Sequence, residues 1–195
     1  MEQKRFFILA SASPRRRDYF ERFGFSFKVK TPDIDEAVLP GESPVTYAMR
    51  LAEQKGKAIV EQCDQNELIF SADTIVSLSN QILGKPESAK DIRRMLQTLS
   101  GKQHTVVTAY MIYDCLDEKT ILRHAISQVK FKHLSNSMIH WYSQLSEPLD
   151  KAGGYSIQGI GTLLVESIQG SFNNVVGLPI EMVIEDLVAN QWVTF

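Results

Sequence analysis

Six short segments of this chain gather the side chains that do chemistry. Ser11-Ala12-Ser13-Pro14-Arg15-Arg16 puts two hydroxyls, free amides and two guanidiniums where an apolar run gives way to a helix start. A helix N-terminus carries unpaired N–H groups and partial positive charge, which suits a phosphate. Arginine adds planar charged donors. The same residues also make an ordinary capped helix with two solvated arginines, so both readings stand at this point. Ser71-Ala72-Asp73-Thr74 ends an apolar run on a carboxylate, where open α/β sheets place ligands. Such a carboxylate can bind a metal or take a proton from water, though taken alone it more often caps the next turn. Asp33-Ile34-Asp35-Glu36 offers three carboxylates to a hard divalent cation, or is an exposed acidic loop. Gly84-Lys85-Pro86 holds a lysine either for a phosphate or in a plain turn. The stretch from Asp150 to Gly161 carries Lys151, Gln158 and four glycines, which permit close backbone approach. A long, glycine-dense, partly apolar loop is more often functional than not. Gly170 to Pro179 either shapes a pocket or starts the last helix.

Positioning these segments takes both strands and helices. Phe6 to Ala10 is a continuous apolar run, as in a buried strand. Ser13-Pro14 gives an N-cap hydroxyl and a first-turn proline, and Gly24 stops that helix. Phe25 to Lys30 alternates as a second strand, and Thr31 to Gly41 is a loop. Ser43-Pro44 repeats the start signal for a helix from Val45 to about Gln62. Leu68 to Ala72 reads as a buried strand ending at Asp73, continued extended by Thr74 to Leu78 and turned by Ser79-Asn80. Ser88 caps a helix that Ser100-Gly101 ends. Thr105 to Asp114 and Thr120 to Lys132 are two long strands joined by an acidic turn. A helix over Ser135 to Gln144, a strand over Leu163 to Ile168 and a helix over Pro179 to Ala189 complete a mixed α/β pattern. Without internal repeats or a Gly, Ser or Pro-rich linker, residues 1–195 read as one domain.

Composition narrows the classes further. With 195 residues, 44% hydrophobic and 23% charged, the chain is neither disordered nor collagen-like. The net charge of -2 and the lack of an aromatic-basic stripe argue against a nucleic-acid binder. No run approaches the roughly 20 apolar residues of a membrane span. The run from Phe6 to Ala10 is too short for a signal-peptide core, so the expectation is a soluble cytoplasmic protein. Cys63 and Cys115 stand apart and read as two reduced thiols. The four histidines fall in no zinc-binding pattern, and no G-x-S-x-G elbow is present. Nor is there a Walker or dinucleotide-binding glycine motif. Scattered cations and carboxylates at strand ends and loops suit a metal-neutralised phosphate ester.

Taken in order, Leu9 to Arg16, Ala72-Asp73-Thr74, Gly84-Lys85-Pro86, Leu99-Ser100-Gly101, Asp150-Lys151-Ala152-Gly153 and Gly177-Leu178-Pro179 resemble the Maf family of nucleotide pyrophosphatases. Each motif is weak alone, and together they span nearly the whole chain. The resemblance implies an elongated, two-lobed mixed sheet flanked by helices, like inosine triphosphate pyrophosphatases, with a nucleotide in the cleft between lobes. It implies hydrolysis of a nucleoside triphosphate to monophosphate and pyrophosphate with a divalent metal, magnesium or manganese. The chain is similar to the dTTP/UTP branch, in which Arg15, Thr74 and Gln158 would mark specificity. A branch acting on 7-methyl-GTP is expected to carry Glu where this chain has Gln158. One Gln amide can pair with both the N3–H donor and the neighbouring carbonyl of uracil or thymine, whereas guanine's two adjacent donors suit a carboxylate. A flipped amide would match cytosine, so rejection of CTP falls to whatever fixes the amide's orientation.

The resemblance makes Asp73 the catalytic proton acceptor and pairs it with Glu36 as a metal ligand. Arg15, Arg16, Lys55, Lys85 and Lys151 would neutralise the triphosphate and the leaving pyrophosphate. For Lys55, on an expected helix, a surface ion pair competes with that role. Ser11 and Ser13 either bind phosphate or cap. Proteins of this family are also associated with restraining septum formation and cell division. A nucleotide-responsive binding protein is therefore the alternative, with the paired Asp73 and Glu36 favouring the enzyme. Trp192 and Phe195 either pack back on the core or join a homodimer interface.

Overall fold

The computed structural model describes residues 1–195. In chain order the elements are β1 Glu2–Gln3, β2 Phe6–Leu9, α1 Pro14–Arg22, β3 Phe27–Val29, α2 Pro44–Lys57, β4 Glu67–Leu78, β5 Gln81–Leu83 and α3 Ala89–Leu99. They continue with β6 Gln103–Asp114, β7 Lys119–Phe131, α4 Asn136–Tyr142, β8 Val165–Gln169, α5 Phe172–Val176, α6 Ile180–Ala189 and β9 Val193–Thr194. Short 3-10 turns lie at Val60–Gln62, Ala152–Gly154 and Gly159–Leu164. Seven strands form one mixed sheet in the order β3-β2-β4-β6-β7-β8, with β5 on the edge of β4. β2 runs parallel to β3 and β4, and the other pairings are antiparallel.

One edge of β4 is shared between two partners. β2 pairs with it over Glu67 to Phe70, and β5 over Val76 to Leu78. Ser71 to Ile75 have no strand on that side, while the opposite edge pairs with β6 throughout. This opens a gap in the middle of a 12-residue strand. Asp73 therefore stands mid-strand at the gap, not at a strand end as the apolar run had suggested.

Alternation along β4 sends Ser71, Asp73 and Ile75 to one face, and Phe70, Ala72, Thr74 and Val76 to the other. The first face is covered by α2, through Tyr47, Ala48, Leu51 and Ala52 against Ile75, Val107 and Ala109. The second face carries two apolar clusters. One joins Phe7, Phe70 and Tyr110 to Phe20 of α1 and to Val183 and Leu187 of α6. The other joins Val76, Val106 and Phe131 to Ile92 and Leu96 of α3 and to Tyr142 of α4. Between them lies a polar layer: the cross-strand pair Thr74 and Thr108, whose hydroxyls are 2.9 Å apart, with Asn174 and Arg16. Two lobes thus share three long strands, and the polar layer marks their boundary.

Helix α2 lies close on the sheet because of what it lacks at Gly56. A Cβ there would stand 2.0 Å from Met111 Cε and 2.8 Å from Ser71 Oγ. The Ser71 hydroxyl donates to the Ala52 carbonyl at 2.6 Å. The helix ends at Lys57 instead of running on to Gln62. Ile59 turns in to pack with Ile8, Ala10 and Ile69. At the other end, Ser43 Oγ accepts from Thr46 N at 3.1 Å, as its cap signal required. Ser43→Ala is expected to lower stability by about 1 kcal/mol. Urea unfolding would show it as a lower midpoint at unchanged slope.

The termini were not legible as structure. β1 pairs with β9, and Asp114, fully buried, accepts from Arg5 Nη2 at 3.3 Å and Trp192 Nε1 at 3.1 Å. Trp192 packs on the core, while Phe195 is exposed. No helix is long and apolar enough to cross a membrane. Cys63 and Cys115 are both free thiols.

Candidate active site

A cavity of about 340 Å³ opens at the gap in β4. Ten of the sequence-predicted residues line it: Ser11, Ser13, Arg15, Arg16, Glu36, Lys55, Asp73, Thr74, Lys85 and Lys151. Because the strand edge is open there, Asp73 and Thr74 both reach the cavity although they point to opposite faces.

Lys55 organises the acidic side. Its ammonium donates to Asp73 Oδ1 at 2.6 Å and to Glu36 Oε1 at 2.7 Å. Close packing of α2 on β4 puts it there, so the surface ion-pair reading falls. Glu36 is delivered by the loop before α2. Tyr47 donates to the Glu36 carbonyl at 2.7 Å. Arg50 grips Glu42 through two bonds, 2.7 and 2.8 Å, and the Ala37 carbonyl at 2.9 Å. Burial pushes the Glu36 carboxyl up, but the hydrogen bond and charge of Lys55, helped by Lys85 and Arg16, outweigh it and hold it below its ordinary value. Burial and the nearby Asp73 and Glu36 push Tyr47 up to about 12.

The acidic trio does not act as one. Only Glu36 reaches the cavity; Asp33 is exposed, and Asp35 Oδ1 accepts from Ala37 N in its own turn. No three His, Cys, Asp or Glu side chains converge as a metal-ligating set. Two hard oxygen donors, Glu36 and Asp73, do meet at the Lys55 ammonium. That donor set fits a magnesium-like ion, which binds through one or two carboxylates and takes its remaining ligands from water and substrate phosphates.

Arg16 and Arg15 differ sharply. Arg16 is buried and already committed: Nε to the Gly177 carbonyl at 3.0 Å, Nη1 to Ser11 Oγ at 3.1 Å, Nη2 to Thr74 Oγ1 at 2.9 Å. Burial lowers its pKa to about 10, which leaves it charged at neutral pH. It ties the helix start, β4 and the turn before α6 together, so it positions the site more than it offers donors to it. Thr74, bonded to Arg16, Thr108 and the Gly177 carbonyl, belongs to the same knot. Arg15 is half-buried and lines the cavity, its charge disfavoured by burial and partly restored by Asp150. Ser11 Oγ also accepts from Ser13 N at 3.2 Å. Ser13 is the N-cap residue by position, but its hydroxyl makes no cap bond.

Lys85 and Lys151 face the cavity from the second lobe, on loops joined by Gly153 N to the Gly84 carbonyl at 3.0 Å. Lys151 pairs with Asp150, which also lines the cavity. Five cations stand against three carboxylates on the walls, an excess of two positive charges. One stretch of the wall is apolar, with Val76, Val106, Tyr155, Ile157 and Val176. Tyr155 is held from behind by His104 Nε2 at 2.8 Å. Burial drops that imidazole to about 4, so it is neutral. Gln158 is not a wall residue. It is exposed, directly after the wall residue Ile157, and its backbone N–H donates to Ser156 Oγ at 3.2 Å.

The chain is similar to known proteins over most of its length. The dTTP/UTP pyrophosphatase of Clostridioides difficile is 44% identical over 173 residues, 89% of either chain. That of Pseudoalteromonas atlantica is 47% identical over 176 residues, 89% of this chain and 91% of its own. The Staphylococcus aureus Ham1 protein shares the fold, with a TM-score of 0.55 over 95% of this chain and 99% of its own at 15% identity. The profile of the family described as Maf-like protein matches residues 6–189, and the chain belongs to that family.

Proposed function

We propose that this protein is a metal-dependent nucleoside triphosphate pyrophosphatase that converts dTTP and UTP to the monophosphate and pyrophosphate. The observation that carries this is the Lys55 ammonium bridging Asp73 and Glu36 at the head of a cation-lined cleft. A cleft with excess positive charge and an apolar wall suits a polyanion attached to a flat base. The triphosphate lies along Arg15, Lys85 and Lys151, and the base lies against Tyr155, Ile157 and the valines.

Asp73 accepts the proton of the attacking water. Its Oδ1 is held by Lys55, which fixes the carboxylate's orientation. The water oxygen bonds to the α-phosphorus, the bond from that phosphorus to the α,β-bridging oxygen breaks, and the electron pair leaves with pyrophosphate. Arg15, Lys85 and Lys151 stabilise the charge that gathers on the departing group. A divalent cation held by Glu36 and Asp73 supplies charge neutralisation at the phosphate oxygens and a more acidic water. Arg16 and Thr74 keep the two lobes in register behind these groups.

Gln158 reads the base edge from beside Ile157. Gln158→Glu is expected to lower kcat/KM on dTTP roughly tenfold to a hundredfold, the worth of one lost donor pairing. Unchanged preference among nucleotides in that variant removes Gln158 from base reading.

Pyrophosphate release is the direct test, with dTTP, UTP, CTP, GTP, 7-methyl-GTP and ITP, with and without magnesium or manganese. Metal-dependent turnover led by dTTP and UTP is expected. Turnover led by 7-methyl-GTP would keep the reaction and remove the base assignment. Binding without turnover would replace the enzyme by a nucleotide-responsive binding protein.

A further inference from the structure

The glycine-dense loop is pinned from outside the cavity. Glu147 Oε1 accepts from Gly161 N at 3.0 Å and from the Tyr142 hydroxyl at 2.9 Å, and its Oε2 accepts from Ile160 N at 3.1 Å. The Tyr142 hydroxyl in turn accepts from Ser156 N at 3.1 Å. Tyr142 is fully buried in the second lobe, so this clasp is anchored in the core. The loop must pass close against it. A Cβ at Gly161 would lie 2.1 Å from the Ser156 carbonyl and 2.6 Å from the Tyr142 hydroxyl. The glycine serves the clasp and not a phosphate.

The three amides gripped, those of residues 156, 160 and 161, bracket Gln158. Between the first of them and Gln158 stands Ile157, a cavity wall residue. Neither Tyr142 nor Glu147 lines the cavity. Which end of a Gln amide meets the base edge depends on the place and angle at which the chain presents the side chain, and the backbone of residues 156 to 161 sets both. We propose that Glu147, with Tyr142, is a specificity-positioning residue: it fixes the loop frame that lets Gln158 select uracil and thymine over cytosine. This rests on the base-reading role given to Gln158 above.

The test measures kcat and KM for dTTP and CTP in Glu147→Gln, Tyr142→Phe and Gln158→Ala. Gln at 147 keeps the volume and loses one acceptor oxygen. Phe at 142 removes the acceptor for Ser156 N. In both clasp variants the dTTP-over-CTP ratio of kcat/KM is expected to fall at least about tenfold, while kcat on dTTP stays within about threefold. A purely structural role would lower the melting temperature and leave the ratio alone, and that result overturns the proposal. An altered ratio in Gln158→Ala beside unaltered clasp variants removes the clasp and keeps the base reading. An unaltered ratio in Gln158→Ala removes both. Hydrogen exchange on the wild-type protein needs no variant to fold: the amides of Ser156, Ile160 and Gly161 should be protected like the core. Rapid exchange at all three overturns the clasp.

Discussion

Asp73→Asn is expected to lower kcat for pyrophosphate release by about 10³-fold with only a modest loss of nucleotide binding. Asn is the same size and keeps an oxygen to accept from Lys55, so the contact now 2.6 Å long can persist and the fold with it. What disappears is a negative charge and a place for water's proton. The proton matters only as the water attacks, so the larger loss belongs in kcat, while the missing charge weakens the hold on the cation and costs a smaller part in affinity. Steady-state pyrophosphate assays beside equilibrium titration with dTTP separate the two quantities. Turnover like that of the wild type would remove Asp73 from proton transfer. A loss of affinity as large as the loss of rate would make it a binding group alone.

The sequence carried the local signals of this site and not its assembly. Ser43 and Ser88 announced their helices, and both cap them. The apolar runs at Phe6 and Leu68 became adjacent parallel strands, but no pattern within either run says that they pair. That β4 loses its neighbour between Phe70 and Val76 is a property of three strands together. A reading of β4 alone could only treat Asp73 as the end of something. The meeting of Lys55 and Asp73 likewise depends on Gly56 letting α2 settle on Ser71 and Met111, a contact between segments far apart in the chain. Arg15 and Arg16 are identical to a motif, and helical geometry separates them: one faces the cleft, the other is buried against Thr74 and Gly177. The glycines after Lys151 were legible as a close approach, but Glu147 and Tyr142 as the groups approached were not. The pairing of the two termini had no local signal, since each strand is two residues long.

Lys55→Met tests the other half of the constellation and is expected to lower kcat/KM at neutral pH by about 10²-fold. Met matches the length of the stem and removes the ammonium. Glu36 and Asp73 then lose the ammonium that joins them. Like charges at short range favour protonation. The Glu36 carboxyl, now held below its ordinary value chiefly by Lys55 against the push of burial, rises in the variant. The acid limb of the pH–rate profile therefore moves to higher pH, the opposite of what a merely weakened binding site would give. Stability follows the same sign. A carboxyl depressed in the folded protein stabilises it above its unfolded pKa, and that contribution fades as pH falls through the lower folded value. The wild-type protein should exceed the variant in melting temperature at neutral pH, by a small margin because Glu36 is 46% exposed. The margin should close in acid, where the Glu36 carboxyl is protonated and its attraction for the ammonium is lost. An acid limb that stays in place would mean that Lys55 acts on the substrate and not on the carboxylates, and would assign it to the phosphates with Lys85 and Lys151.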